Sequence, residues 1–118
     1  SLSPTAYAEW LVGSMSDSRE ATYYVDPQTT RHKENIVRIW GLTDYKTGQT
    51  VGRISFLSIK TQTEYDCKGK RGRVLASVAY SGNMGGGTML GKDSTEQEWT
   101  PVLPQTFGHG IWEFACQR

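Results

Sequence analysis

The sequence predicts an α+β domain dominated by an antiparallel β-sheet. One observation is a two-residue alternation of apolar and polar side chains over residues 53–67. Another is the order of the chain, in which short β-branched and aromatic segments alternate with turn-forming residues. A third is an apolar pattern at helical spacing over residues 107–115. Because no repeat, low-complexity tract or linker divides the chain, residues 1–118 are predicted to form a single domain.

Composition is typical of a folded protein without a global attraction to nucleic acid. The 118 residues are 36% hydrophobic, and the formal net charge is +1. A chain of this length buries a substantial core, whereas a near-neutral charge exerts no long-range pull on nucleic acid or an anionic membrane. No apolar run approaches the roughly 20 residues of a membrane helix. We therefore expect recognition to depend on specific local contacts.

The strands can be placed in order from the amino terminus. Apolar residues 8–13 and the aromatic, β-branched residues 22–25 predict the first two, and Asp26-Pro27 predicts that the second ends in a turn. Residues 35–44 are apolar on both sides of the pleat, which is typical of a central strand. Residues 46–49 predict a hairpin tip.

The best-defined strand covers residues 53–67. One face carries Leu57, Ile59, Thr61, Thr63, Tyr65 and Cys67. The other face carries Ser58, Lys60, Gln62, Glu64 and Asp66. This alternation predicts a half-buried antiparallel strand that points Cys67 towards the core.

The remaining segments predict a return strand, a loop and a helix. After a turn at residues 68–70, the core face of the return strand is predicted to carry Val74, Ala76, Val78 and Tyr80. Residues 82–87 predict a permissive glycine-rich loop, residues 88–90 a short strand, and residues 99–102 a further apolar patch. Thr106 is a candidate N-cap for a C-terminal helix. Its apolar positions are Phe107, Ile111, Phe114 and Ala115, although Gly108 and Gly110 each weaken it by about 1 kcal/mol.

The two cysteines, Cys67 and Cys116, favour a disulfide bond and an oxidising compartment. A bridge between them closes a long loop, which stabilises a domain by roughly 4 kcal/mol in the chain-entropy model. A cysteine beside the polar Gln117-Arg118 end has little packing reason to exist, which favours the bridge. The alternative is a pair of reduced cysteines that act as small buried hydrophobic residues.

Motifs for catalysis, metals or cofactors are not recognisable in the sequence. His32 and His109 lie far apart, and neither adjoins a serine or cysteine in a nucleophile motif. The glycine run at residues 82–87 lacks the Gly-Lys-Ser/Thr ending of a phosphate loop. We therefore expect no enzymatic activity, metal or cofactor, and a small hydrolase is the least favoured hypothesis.

A basic hairpin provides the candidate binding residues Lys68, Lys70, Arg71 and Arg73. Such a cationic tip suits sulfated glycans, acidic lipid headgroups or acidic patches on a protein. The alternative is a solvated turn whose charges keep an edge hairpin soluble. The tryptophans, Trp10, Trp40, Trp99 and Trp112, are expected to be amphipathic rings with one wet edge, of which one or two could anchor a partner.

An ordered series of motifs resembles the bacterial surface-adhesin protein E family. The series begins with Tyr-Tyr-Val-Asp at residues 23–26 and Val-Arg-Ile-Trp at residues 37–40. It continues with Glu-Tyr-Asp-Cys at residues 64–67, Arg-x-Arg at residues 71–73 and Tyr-Ser-Gly-Asn-Met-Gly-Gly-Gly at residues 80–87. Trp-x-x-Val at residues 99–102 and Ala-Cys at residues 115–116 complete it. The resemblance spans residues 10–116.

The resemblance implies a sheet of about six strands with a C-terminal helix crosslinked to it through Cys67 and Cys116. It also implies export in a Gram-negative bacterium, to the cell surface, the outer membrane or the periplasm. The leading hypothesis is an adhesin-like module that binds host matrix or serum proteins and can form a homodimer. The alternative is a structural or accessory protein that binds another envelope component. No lipid-bearing N-terminal cysteine is visible, so we expect either a trimmed lipid anchor or a soluble periplasmic protein.

Overall fold

The computed structural model describes residues 11–15 and 20–117, which form an antiparallel sheet with an α-helix on one face. The strands are β1 (Leu11–Met15), β2 (Ala21–Lys33), β3 (Ile36–Val51), β4 (Ile54–Asp66), β5 (Arg71–Tyr80), β6 (Met89–Asp93) and β7 (Thr100–Pro101). Strands β1 to β6 lie side by side in sequence order, and the two-residue β7 pairs with the start of β5. The predicted antiparallel sheet of about six strands is confirmed. Of the predicted first strand, residues 8–13, only residues 11–13 are among the described residues. Trp10 lies outside them.

The turn predicted at Asp26-Pro27 is wrong, because β2 continues through it. The pairing of β2 with β3 shifts register between Asp26 and Arg31, which makes this segment a β-bulge. Asp26 satisfies the distorted backbone locally, since its Oδ1 accepts a hydrogen bond from the N–H of Gln28 at 3.1 Å. Its carbonyl oxygen accepts another from the Thr29 hydroxyl at 2.7 Å. Pairing with a long neighbouring strand thus outweighs the local turn preference.

The hairpin tip predicted at residues 46–49 is also wrong. Strand β3 runs on to Val51, and its register against β4 shifts between Asp44 and Gln49. The chain reverses instead between Val51 and Ile54, which pair with each other. Gly52 in this turn has a φ of +61°, a conformation that glycine adopts without steric cost.

A bulge also interrupts β5, so that Val74 and Ala76 lie on opposite faces of the sheet. Gln62 pairs with Ala76 and Thr63 pairs with Val74, so Leu75 is the extra residue of β5. Val74 therefore shares the face of Thr63, whereas Ala76 shares the face of Gln62. The predicted single core face made by Val74, Ala76, Val78 and Tyr80 is wrong for this reason.

Helix α1 (Phe107–Cys116) covers one face of the sheet, called here the helix face. The buried cluster between the helix and the sheet comprises Tyr23, Val25, Val37, Ile39, Tyr65, Ile111 and Ala115. The Thr106 hydroxyl accepts a hydrogen bond from the N–H of His109 at 3.1 Å, so the predicted N-cap is confirmed. Packing of the buried helix residues outweighs the weak propensity of the two helix glycines. No helix in the described part of the chain has the length and apolarity to cross a membrane.

Two buried tyrosines lie close against glycines of adjacent strands on the helix face. A Cβ atom at Gly41 would collide with the phenol of Tyr23, and one at Gly72 would lie 3.0 Å from the Tyr65 ring. Burial raises the pKa of Tyr23 to about 12 and also raises the pKa of Tyr65, so both phenols stay neutral. Close approach of a ring therefore explains glycine at both strand positions.

A disulfide bond joins Cys67, directly after β4, to Cys116 at the end of α1. The two Cα atoms are 5.6 Å apart, and the bond spans 49 sequence positions. Beside it, the indole N–H of Trp112 donates a hydrogen bond to the carbonyl oxygen of Asp66 at 3.2 Å. The predicted crosslink between helix and sheet is confirmed, and the alternative of two reduced cysteines is wrong.

Candidate functional site

The sheet face opposite α1, called here the open face, is covered at one end by the glycine-rich loop at residues 82–87. Ser58 lies beneath this loop and is fully buried. Its hydroxyl donates to the carbonyl oxygen of Gly82 at 2.6 Å and accepts from the N–H of Gly85 at 2.9 Å. The half-buried pattern predicted for β4 therefore fails at Ser58, because a loop rather than solvent covers it.

The same loop is also anchored to β3. The Asp44 carboxylate accepts hydrogen bonds from the Met84 N–H at 2.7 Å and from the Asn83 side-chain amide at 3.0 Å. The Asn83 amide donates as well to the carbonyl oxygen of Tyr45 at 2.8 Å. The glycine-rich sequence thus folds onto the sheet instead of extending into solvent.

At the other end of the open face, four charged side chains form a row across four strands, called here the arginine row. Its members are Arg31 of β2, Arg38 of β3, Glu64 of β4 and Arg73 of β5. In the strand register, Arg31 pairs with Arg38, Arg38 with Glu64, and Glu64 with Arg73. Paired residues of adjacent strands point to the same side, so the four side chains share the open face.

Glu64 is the buried centre of this row. Its side chain is 5% exposed, and its carboxylate accepts from Arg38 Nε at 2.8 Å and from Arg73 Nη2 at 2.7 Å. Burial alone would raise the pKa of Glu64, but hydrogen bonds and charges from Arg38 and Arg73 outweigh it and hold the pKa below its ordinary value. The half-buried pattern of β4 fails here because two guanidinium groups compensate a buried carboxylate.

The predicted binding residues of the basic hairpin divide into two pairs. Lys68 and Lys70 are exposed in the turn between β4 and β5, and the Lys70 ammonium lies 5.9 Å from the centroid of the Trp112 ring. The guanidinium groups of Arg71 and Arg73, by contrast, form ion pairs with carboxylates. Arg71 pairs with Asp66 at 2.9 Å, and Arg73 pairs with Glu96 at 2.8 Å in addition to Glu64.

Asp66 also fixes the shape of the basic turn. Its Oδ1 accepts from the N–H of Gly69 at 2.8 Å, and its Oδ2 accepts from Arg71 Nε. The hydrogen bond from Gly69, followed by that from Arg71, lowers the pKa of Asp66. A Cβ atom at Gly69 would lie 2.5 Å from the Asp66 carboxylate, so any other residue there would displace the carboxylate from these hydrogen bonds.

Trp99 lies close to two of the hairpin guanidinium groups. The Cζ atoms of Arg71 and Arg73 are 4.7 and 4.4 Å from its ring centroid, within the range of cation–π attraction. The segment carrying Trp99 is held to β5, since the N–H of Gln97 donates to the carbonyl oxygen of Val74 at 2.9 Å. The sequence marked Trp99 as an aromatic residue but contained no signal for its arginine partners.

A cleft of about 570 Å³ opens beside the arginine row, between the β2–β3 turn and Trp99. Sequence reasoning missed Arg31, Lys33 and Arg38 as lining residues. Arg38 did carry a signal, because it is the lone charge in the apolar run from Ile36 to Leu42. Within residues 11–15 and 20–117, no three His, Cys, Asp or Glu side chains are grouped as ligands for a metal ion.

These features define a small, crosslinked β-domain with a charged surface on the sheet face opposite its helix. The model of the family described as surface-adhesin protein E matches residues 10–117. The chain therefore belongs to the surface-adhesin protein E family. The predicted family resemblance is confirmed, and it makes the protein an adhesin-like surface module.

Solved structures of Haemophilus influenzae protein E share this fold. One is 13% identical with a TM-score of 0.71, and the match covers 94% of this chain and 86% of that chain. A second crystal form is 14% identical with a TM-score of 0.69, covering 93% and 97%. Protein E from non-typeable Haemophilus influenzae is 15% identical with a TM-score of 0.67, covering 98% and 82%. No curated protein matches the sequence.

Proposed function

We propose that this protein is a non-enzymatic binding module on the surface of a Gram-negative bacterium, and that it engages host extracellular matrix or serum proteins. The observation that carries the proposal is membership of the surface-adhesin protein E family over residues 10–117. The disulfide bond is consistent with export, because such bonds persist in oxidising compartments.

We assign the contact surface to the basic turn, with Lys68 and Lys70 as its binding residues and Arg71 and Arg73 as its support. The turn is braced on one side by the Cys67–Cys116 disulfide and on the other by the Asp66 hydrogen bonds. A turn that is already ordered loses little conformational entropy when it binds. Two exposed ammonium groups held in this way suit an acidic patch on a protein partner.

The test compares Lys68→Ser/Lys70→Ser with the wild type on surfaces coated with individual matrix and serum proteins. We expect the variant to bind about tenfold more weakly and with a smaller salt dependence, because it removes two steering charges. Arg71 and Arg73 stay in place, so the ion pairs of the hairpin are retained. Lys46→Ser/Lys92→Ser removes the same charge from exposed positions outside the hairpin and serves as the matched control.

Equal binding by Lys68→Ser/Lys70→Ser and wild type would exclude the hairpin as the contact surface. If the wild type bound none of the host proteins, host recognition itself would be contradicted. Crosslinking in intact cells that recovered a bacterial envelope component would then support the accessory role instead.

A further inference from the structure

Two residues of like charge are directly paired across strands in the arginine row. Arg31 and Arg38 are cross-strand partners on β2 and β3, an arrangement that destabilises a strand pair. Glu64 compensates Arg38 from the far side through Arg38 Nε. Among the described residues no carboxylate pairs with Arg31, whose Nη1 donates to the carbonyl oxygens of Gln28 and Thr30 at 3.0 and 2.8 Å.

The pair is accessible and lies in a cationic environment. Arg31 is exposed, and the Arg38 side chain is 54% exposed. The cleft beside them is also lined by Lys33 and Arg73, so its cations outnumber its carboxylates, Glu34 and Glu64. Each guanidinium group presents a planar fork of donors that fits a carboxylate.

We propose that Arg31 and Arg38 form a receptor for a carboxylate side chain in an acidic segment of a protein partner. This inference rests on the proposed function and adds the chemistry of the partner. An aspartate or glutamate side chain between the two guanidinium groups would replace their repulsion with two attractions. Neighbouring acidic residues of the segment would reach Lys33 at the mouth of the cleft.

The carboxylates interspersed at this site favour a protein segment over a sulfated glycan. Glu34 and Glu64 line the cleft, and Glu96 pairs with Arg73 at its edge. These groups repel a ligand of uniformly dense negative charge, whereas a peptide can present carboxylates at separate points.

The test measures binding of a short fluorescein-labelled peptide of alternating glutamate and glycine to the full chain by fluorescence anisotropy. We expect Arg31→Glu to bind at least about tenfold more weakly than wild type. Its melting temperature should stay close to that of wild type, because the new carboxylate removes the like-charge pair with Arg38 while two exposed hydrogen bonds from Arg31 to backbone carbonyls are lost. Weaker binding with a melting temperature close to that of wild type cannot be caused by misfolding.

Arg53→Glu, which makes the same charge change in the β3–β4 turn, is the matched control. Its affinity for the peptide should stay within about twofold of the wild-type affinity. Arg31→Gln provides a second variant with no added charge and should also weaken binding. Unchanged peptide binding in both Arg31 variants would overturn the proposal. Arg31-dependent binding of heparin fragments, without any binding of the peptide, would also overturn the proposal. Arg31-dependent peptide binding by a protein that binds no host protein would support this site and contradict the proposed function.

Discussion

Both faces of β4 contain buried side chains, but the two faces bury them by different means. On the helix face, Tyr65 packs in an apolar cluster with Ile111 and Ala115 of α1. On the open face, Ser58 and Glu64 are 0% and 4% exposed although both are polar. The helix face is stabilised by apolar burial, whereas the open face depends on a hydrogen-bond partner for each buried polar group.

Ser58 and Glu64 also differ from each other in the groups that satisfy them. Ser58 is satisfied by backbone groups of the loop that covers it. Glu64 is satisfied by arginines, and one of them, Arg38, remains largely exposed. The buried hydroxyl is thus fully enclosed by its partners, whereas the buried carboxylate has a partner whose charged side chain stays exposed.

The largest expected effect comes from removing the disulfide bond, which tests whether apolar packing alone stabilises the helix face. Cys67→Ser/Cys116→Ser should lower the free energy of unfolding by about 4 kcal/mol, because the unfolded chain regains the entropy of an open loop. Urea denaturation of the oxidised wild type and the variant measures this difference. Reduced wild type is the matched control and should resemble the variant. A loss below about 1 kcal/mol would show that packing suffices.

The second-largest effect is expected from replacing Glu64, the buried carboxylate at the charged end of the open face. Glu64→Gln should lower the free energy of unfolding by about 2 kcal/mol, because Arg38 and Arg73 lose their shared carboxylate while remaining partly hydrated. Urea denaturation measures the loss. Glu96→Gln is the matched control, since Glu96 is an exposed partner of the same Arg73 and its removal should cost less than about 1 kcal/mol. Equal losses in the two variants would contradict a special role for the buried carboxylate.

The effect of Glu64→Gln should also depend on pH. The pKa of Glu64 is lowered in the folded state, so its ionised form favours folding. This contribution is present above the pKa of an unfolded glutamate and is lost as the pH falls through the folded pKa. The stability difference between wild type and variant should therefore shrink at acidic pH, whereas a constant difference would argue against the charge.

The smallest effect is expected from replacing Ser58, at the end of the open face that the glycine-rich loop covers. Ser58→Ala should lower the free energy of unfolding by about 1.5 kcal/mol, because the carbonyl group of Gly82 and the N–H of Gly85 lose their partner. Ser55→Ala removes an exposed hydroxyl that shares a hydrogen bond with the Thr50 hydroxyl at 3.2 Å and should change stability little. If the two serine variants were equally stable in urea, the loop would be held by its Asp44 contacts instead.

Local sequence patterns predicted the strands and the helix cap, but not the bulges. The apolar alternation near Tyr65 and the capping hydroxyl of Thr106 act on neighbouring residues, so they can be detected in the sequence. The bulges at Asp26 and Leu75 arise from the lengths and registers of paired strands. A turn-forming dipeptide such as Asp26-Pro27 therefore marks a distortion here and not an end.

The candidate site was only partly predictable for the same reason. The sequence identified Arg71 and Arg73 as cations, but their neutralising partners lie on other segments of the chain. Arg31 and Arg38 meet only after β2 and β3 pair in the register that follows the bulge. The sequence thus identifies the charged residues, whereas the pairing of the strands determines which of them are neutralised by an oppositely charged partner.

The order of the strands has a consequence for how the protein is made. Because β1 to β6 pair with their sequence neighbours, the sheet can assemble by successive hairpins as the chain emerges. In the folded protein, α1 packed against the sheet holds Cys67 and Cys116 with their Cα atoms 5.6 Å apart, within the range of a disulfide bond. With two cysteines in the chain, an oxidase has one intramolecular product, so the bond cannot be mispaired within one molecule at any stage of assembly.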